Sequence, residues 1–268
     1  MVRLSPERMA WFPLNEVGTA TLTRERRILR LLECYCRFPA PRVLYEDDTG
    51  WDLRALVPGT VDPSGLFERV VHDPGFAYAF GEDLGRMLAE QHTRIPRAQL
   101  SGWLPTVPNW PQPEDLPHLA EVIDDRPLLA RIDQALDRRT ELRQVLQDAV
   151  LVHADLGFHN MAVDPVSSRI VGFFDYEGAV FGDRHQDFAY MVFPSKKEPP
   201  LLAGALATYE PATGIKIDQD RVRLLNAVAA IGFLAFRRGH PPEEAWCGRT
   251  LAQDLTWTHA ALERVGLY

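Results

Sequence analysis

Lysine is almost missing from this chain. Of its 29 basic residues only Lys196, Lys197 and Lys216 are lysines, and none precedes position 196. A task that needs a cation in the first two thirds falls to arginine, whose planar, always-charged fork is a different tool from a lysine ammonium. Cysteine is scarce as well. Cys34, Cys36 and Cys247 make neither a zinc spacing nor a disulfide framework, so reduced thiols packed in a core are expected. There is no apolar run of about eighteen residues that would cross a membrane. The first eight residues hold no apolar signal-peptide segment. A cytoplasmic protein without a membrane partner is the expectation. Excess positive charge is absent too. The formal charge of −8 argues against a nucleic-acid partner and is compatible with a cationic substrate. No Gly-x-Ser-x-Gly elbow is present, so nothing indicates a hydrolase triad.

What remains is ordinary globular material, 46% hydrophobic and 25% charged over 268 residues, enough for one or two domains. Arg8-Met9-Ala10-Trp11-Phe12 reads as a short strand stopped by Pro13. Ile28, Leu29, Leu31, Leu32 and Tyr35 recur at helical spacing, which predicts a helix over 22–36 with Thr21 or Thr23 as its N-cap. Glu25 falls in its first turn, where the helix dipole favours a carboxylate. Strands are expected at 42–46 and 51–57, joined by the turn Asp47-Asp48-Thr49-Gly50 and closed by Pro58-Gly59, a candidate domain boundary. Helices follow at 76–92, over parts of 119–147, and at 201–209, 221–238 and 246–265. Gly81 and Gly85 suggest close helix packing, and the middle of the three late helices, 221–238, is apolar enough to be buried. The proline-rich stretch 104–117 reads as a surface connection, with Trp103 and Trp110 open as substrate-lining residues.

The stretch with the most chemistry is Leu151-Val152-His153-Ala154-Asp155-Leu156-Gly157-Phe158-His159-Asn160. An apolar strand leads into it, and a second apolar run, Ile170-Val171-Gly172-Phe173-Phe174, ends in Asp175. Strand, polar loop, hairpin and terminal aspartate suit magnesium-assisted phosphoryl transfer. Asp155 would orient and deprotonate a substrate hydroxyl. Asn160 and Asp175 would hold Mg²⁺, which takes few protein oxygens and leaves other positions to water and phosphate. Each residue alone is more often a turn or cap residue; their combination points to chemistry. His153 and His159 invite a zinc reading, but zinc draws on more His or Cys than this neighbourhood offers. His153 reads instead as a packed loop residue bonded to backbone.

These residues resemble the aminoglycoside phosphotransferase and choline kinase family, small-molecule kinases with the protein-kinase-like fold. The family's His-Gly-Asp-x4-Asn loop matches His153 to Asn160, with Ala154 in place of glycine. Its Ile-Asp-Trp/Tyr-Glu motif matches Phe174-Asp175-Tyr176-Glu177, and its Gly-Asp-x3-Asp-Leu-Ala matches Gly182-Asp183-Arg184-His185-Gln186-Asp187-Phe188-Ala189. The resemblance implies an α+β, bilobal fold. Residues 1–58 would form a reduced small lobe with an antiparallel sheet, and 59–268 a large, mostly helical lobe. It implies ATP as co-substrate, Mg²⁺ as cofactor and a hydroxyl acceptor like an aminoglycoside, choline or homoserine. It implies that Asp187 supports the catalytic loop, that Ala55, Leu56 and Val57 hold adenine, and that Glu177 and Asp183 are substrate-lining candidates. Leu88-Ala89-Glu90-Gln91-His92 resembles the family's Leu-x-x-Leu-His helix end.

Glu25 matches the family's helix glutamate, which pairs with a lysine on the nucleotide phosphates. That lysine lies some fourteen residues earlier, and counting back reaches Trp11. Arg3 and Arg8 are the substitute cations in reach, and the strands and phosphate-covering loop ahead of the lysine strand have no room. A chain that starts late, a short form using arginine, and a catalytically impaired nucleotide- or ligand-binding protein all stand as explanations. A dimer through exposed strand edges would be one remedy for a reduced lobe.

Overall fold

The computed structural model describes residues 1–107, 110–111, 114–142, 148–193, 199–245 and 249–268. The chain opens with strands β1 (Val2–Ser5) and β2 (Arg8–Trp11). Then comes the long helix α1 (Glu16–Tyr35), followed by β3 (Arg42–Glu46) and β4 (Asp52–Ala55). The four strands form one antiparallel sheet in the order β1-β2-β4-β3. Strand β1 precedes the expected Arg8 strand, so the small lobe has one more strand than its sequence suggested.

Helix α1 also starts earlier than expected. Its N-cap is Asn15, whose side chain accepts from Gly18 N at 2.8 Å, with Pro13 just ahead. Thr23 is inside the helix and donates its hydroxyl to Thr19 O, the usual fate of a mid-helix threonine. The buried stripe is Leu22, Ile28, Leu29 and Leu32. The expected buried thiols are corrected in part: Cys34 is exposed on the opposite face, and Cys36 is half-buried with its thiol pushed up to about 12, chiefly by burial and then by Glu90. Cys247 lies outside the described residues.

Past β4 the chain crosses at Pro58-Gly59. Gly59 has φ 119°, and a side chain there would strike the Val163 backbone. Thr60 and Val163 exchange two backbone hydrogen bonds of 2.8 and 2.9 Å, which pin the crossing to the large lobe. Helix α2 (Pro63–His72), not among the expected elements, opens on the Asp62 N-cap with Pro63 in its first turn. Helix α3 (Pro74–Arg94) is the axis of the large lobe. It packs on α6 (Leu201–Thr213) with almost no spacer. A Cβ on Gly81 would meet Leu201 O, one on Gly85 would meet Ala205 O, and one on Gly204 would meet Tyr78 O.

The central stretch lies against this pair as two small antiparallel ladders. Strand β5 (Val150–Val152) pairs with β8 (Val180–Gly182), and β6 (Met161–Val163) pairs with β7 (Ile170–Phe173). Asp164 closes the β6–β7 turn by accepting from Val166 N and from Ser167 N and Oγ. A second core joins α4 (Leu119–Val122), α5 (Arg126–Leu142), α7 (Gln219–Phe236) and α8 (Leu251–Arg264) through Leu119, Ile132, Ile231, Leu234 and Leu262. Trp110 packs there against Phe233 and Phe236, while Trp103 lies under Arg27. No helix among the described residues is long and apolar enough to cross a membrane.

Candidate active site

Strand β5 is fully buried and ends at Val152, one residue before His153. The chain then turns sharply. Ala154 has φ 69°, left-handed backbone that favours glycine and costs an alanine roughly 1 kcal/mol. Asp187 holds the turn. Its carboxylate, with no exposed surface, accepts from His153 N at 3.1 Å and Ala154 N at 3.0 Å. From α3 it also accepts from His92 Nε2 at 3.0 Å and Gln91 Nε2 at 3.4 Å. The imidazole of His92 is buried and held below its ordinary pKa by desolvation, with Asp187 opposing. It is therefore neutral at pH 7, with Nε2 protonated toward Asp187 and Nδ1 accepting from Tyr209 OH at 3.0 Å. Arg184 completes the run by donating to that same hydroxyl.

The turn delivers Asp155 half-exposed at its outer edge. Burial works against the charged form, but the His159 hydrogen bond, the charges of both neighbouring histidines and the Tyr190 hydroxyl hold the carboxyl below its usual range. Asp155 is thus a carboxylate at neutral pH. His159 Nε2 sits 3.2 Å from Asp155 Oδ2, and this bond lifts the imidazole's pKa. Asn160 is buried at the end of a 3₁₀ turn. Its Nδ2 donates to Asp155 O at 2.8 Å and Asp155 Oδ2 at 3.1 Å, which commits the amide nitrogen and leaves the oxygen as the acceptor end. His153 bonds the backbone: its Nε2 lies 2.9 Å from Phe174 O, one residue before Asp175.

Asp175 follows β7 in left-handed backbone, φ 66°. Burial raises its pKa, the Asp155 charge adds to the rise, and His153 opposes both. Two carboxylates that repel each other across a shared space, beside an amide oxygen, make an oxygen donor set for a hard cation. Among the described residues no cluster of three His, Cys, Asp or Glu has metal-binding geometry. One amide and one carboxylate nevertheless fit Mg²⁺, which keeps water and phosphate as its remaining ligands.

Other expected residues are placed differently. Glu177 is exposed, its carbonyl accepts from Arg24 Nη2 at 2.7 Å, and its carboxyl is raised first by burial and then by the charges of Asp175, Glu25 and Asp155. Asp183 caps the following 3₁₀ turn through His185 N and binds Arg221 Nε at 2.6 Å, which occupies both oxygens. Of the adenine residues, Ala55 is paired in the sheet and Leu56 N donates to Glu7 O at 2.8 Å. Val57 alone of the three makes no backbone hydrogen bond among the described residues. A Cβ on Gly172 would crowd the Val57 side chain and Pro39 O, so β7 lies directly beneath this crossing.

Glu25 reaches the site from α1, but neither Arg3 nor Arg8 is its partner. Arg3 serves the carbonyls of Ser5 and Pro6, and Arg8 is exposed. The partner is Arg54 on β4, whose Nη1 lies 2.6 Å from Glu25 Oε2. Strand alternation sets Arg54 and Asp52 on one buried face, a pairing invisible without the sheet register. Trp11, where the family lysine was sought, lies with its ring 5.0 Å from the Arg54 guanidinium.

A family model, the phosphotransferase enzyme family (APH), matches residues 14–225. The chain belongs to this family. Streptomycin 3''-kinase of Streptomyces griseus is 31% identical over 118 residues, 44% of this phosphotransferase-family chain. The match spans only 36% of that kinase's own length. Macrolide 2'-phosphotransferase MphH from Brachybacterium faecium superimposes with TM-score 0.64 at 17% identity, covering 94% of this chain and 83% of its own. The ADP-bound aminoglycoside phosphotransferase APH(2'')-Ib gives TM-score 0.60 at 17% identity, with coverage of 97% and 88%. These neighbours share the family's α+β, kinase-like fold.

Proposed function

We propose that this chain transfers the γ-phosphoryl group of ATP to a hydroxyl of a small molecule. The observation that carries the reading is the Asp155–Asn160–Asp175 constellation: a half-exposed aspartate kept charged, an amide whose nitrogen is already bonded to it, and a repelled carboxylate opposite. Asp155 Oδ atoms accept the proton of the acceptor hydroxyl as its oxygen attacks phosphorus, and the bond to the β-phosphate oxygen breaks. Asn160 Oδ1 and Asp175 are the protein oxygens for Mg²⁺, which when bound screens the phosphate charge. Asp187 keeps Asp155 in register from below, and His153 ties the catalytic turn to the metal loop through Phe174 O. Adenine would lie along the crossing at Val57 over β7. Residues 1–58 and 59–268 are then the two lobes on either side of the nucleotide.

The acceptor is a hydroxyl compound with cationic groups, of aminoglycoside type. Support comes from the streptomycin 3''-kinase likeness and from the mutually repelling carboxylates of Glu177, Asp155 and Asp175. A second reading, a catalytically impaired nucleotide- or ligand-binding protein, is favoured by one observation: the Glu25 partner is a sequestered arginine rather than a lysine free to touch phosphate. Turnover of ATP and Mg²⁺ against a panel of hydroxyl compounds decides between them. Asp155→Asn is expected to lower kcat by roughly 100- to 10,000-fold with unchanged melting temperature, and Asp175→Ala to abolish Mg·ATP binding. If the unmutated chain phosphorylates nothing yet binds Mg·ATP in calorimetry, the second reading replaces the first.

A further inference from the structure

Arg54 is the most completely enclosed cation in the small lobe. Its side chain is 1% exposed, and all three of its guanidinium nitrogens are engaged. Nε and Nη2 make a two-pronged pair with Asp52 at 2.8 and 3.0 Å, and Nη1 holds Glu25 Oε2 at 2.6 Å. The Trp11 ring covers it, and Arg26 Nε approaches the same Asp52 at 3.8 Å. These bonds use three of the five guanidinium N–H donors, and the enclosure of the side chain, 1% exposed under Trp11, leaves no open face toward a phosphate.

The second oxygen of Glu25 shows what this enclosure does. Glu25 Oε1 accepts the backbone N–H of Tyr176 at 3.1 Å, the peptide unit that begins at the carbonyl of Asp175. That aspartate sits in left-handed backbone, uncommon for L-residues other than Asn and Asp. From the other side, Tyr176 OH donates to Gln91 Oε1 at 2.8 Å. The residue after Asp175 is therefore fastened at both ends, once to each lobe.

We infer that Arg54 is a positioning residue for the metal loop: with Asp52 it fixes Glu25, and Glu25 fixes the Asp175–Tyr176 peptide and so the direction of the Asp175 carboxylate. The inference rests on the proposed function in taking Asp175 as a Mg²⁺ ligand. It assigns Arg54 no contact with the nucleotide. The role that a lysine divides between glutamate and phosphate in the resembled family is reduced here to the glutamate half.

The test uses Arg54→Met, Arg54→Lys and Glu25→Gln in the full chain. Mn²⁺ in place of Mg²⁺ is followed by electron paramagnetic resonance in the presence of ADP, so no turnover is needed. Loss of a group that orients a metal ligand from behind typically weakens metal binding 10- to 100-fold. Arg54→Met and Glu25→Gln are each expected to raise the Mn²⁺ dissociation constant by about that factor. The double variant should be no worse than the poorer single one, because both act through one peptide. Arg54→Lys, which keeps a cation for Glu25 but loses the fork to Asp52, should recover part of the affinity. ADP binding in EDTA should be unchanged in all three. Metal-free ADP binding that weakens in Arg54→Met would show a phosphate contact and overturn the inference. So would a lowered melting temperature with unchanged Mn²⁺ affinity in the folded Arg54→Lys and Glu25→Gln variants. An unmutated chain that binds no Mn²⁺ with ADP would instead remove the proposed function, and the inference with it.

Discussion

Replacing Asp187 by alanine removes one acceptor that serves four donors. The backbone N–H groups of His153 and Ala154 cannot turn away, and each buried donor left unmade costs roughly 1–3 kcal/mol. Gln91 loses less, because its Nε2 keeps Leu151 O at 3.1 Å. The neutral His92 loses its only acceptor at Nε2, adding about 1 kcal/mol. Water entering the vacated space would recover part of the total. The expected loss is about 4 kcal/mol. At roughly 2–4 °C per kcal/mol for a chain of this size, the midpoint should fall by about 8–16 °C. Asp183→Ala is the comparison, four residues away in the same motif. It loses a cap and an Arg221 pair at a partly exposed site, so about 1–2 kcal/mol is expected. Scanning calorimetry of both variants reads the difference directly. A midpoint for Asp187→Ala within about 2 °C of the parent, or one no lower than that of Asp183→Ala, would refute the account of Asp187 as the clamp of the turn.

Three further outcomes follow from the same geometry. His92 is depressed by burial, so between its folded value and about 6.5 the unfolded chain binds the extra proton and stability drops as pH falls. Melting from about pH 7.5 to about pH 5.5 should therefore lower the parent midpoint more than that of His92→Gln, and equal slopes would rule out a neutral buried imidazole. Gly85→Ala gains up to about 1 kcal/mol of helix propensity but drives a methyl into Ala205 O, for a net loss of about 1–2 kcal/mol by urea denaturation. A stabilised variant would mean that α3 and α6 can separate freely. Ala154→Gly should be within about 0.5 kcal/mol of the parent, since relief of left-handed strain offsets the added freedom of the unfolded chain. The same exchange should reduce the damage of Asp187→Ala by about 1 kcal/mol in a double-mutant cycle.

The large lobe was legible where local signals and periodicity agreed. Asp155, Asn160 and Asp175 lie within one strand–loop–hairpin unit, so their proximity follows from short-range chain geometry. Gly81 and Gly85 announced a close helix crossing because only missing side chains explain two glycines one turn apart on an apolar helix. Residues whose meaning depends on distant partners were not legible. Arg54 looks like an exposed strand residue until β2, β4 and α1 enclose it. Asp187 supports the turn as the resemblance implies, but Asp183, expected to line the substrate, is taken up by His185 N and by Arg221, which the chain brings from 38 residues away. Leu56 lies where the resemblance sets the adenine site, but its N–H is taken by Glu7 O, 49 residues earlier in the turn between β1 and β2. Asn15 caps α1 six residues ahead of Thr21, well before the buried stripe that begins at Leu22.

The left-handed alanine before Asp155 bears on the order in which this chain could have changed over time. With glycine at position 154 the turn's shape lies within the backbone's ordinary range, and Asp187 is a reinforcement. With alanine the shape is upheld chiefly by that one carboxylate. The step from glycine to alanine is then nearly silent when it happens, but afterwards Asp187 can no longer be the first residue to go. A substitution with little immediate effect would thus work as a ratchet, making a residue in another part of the motif harder to replace.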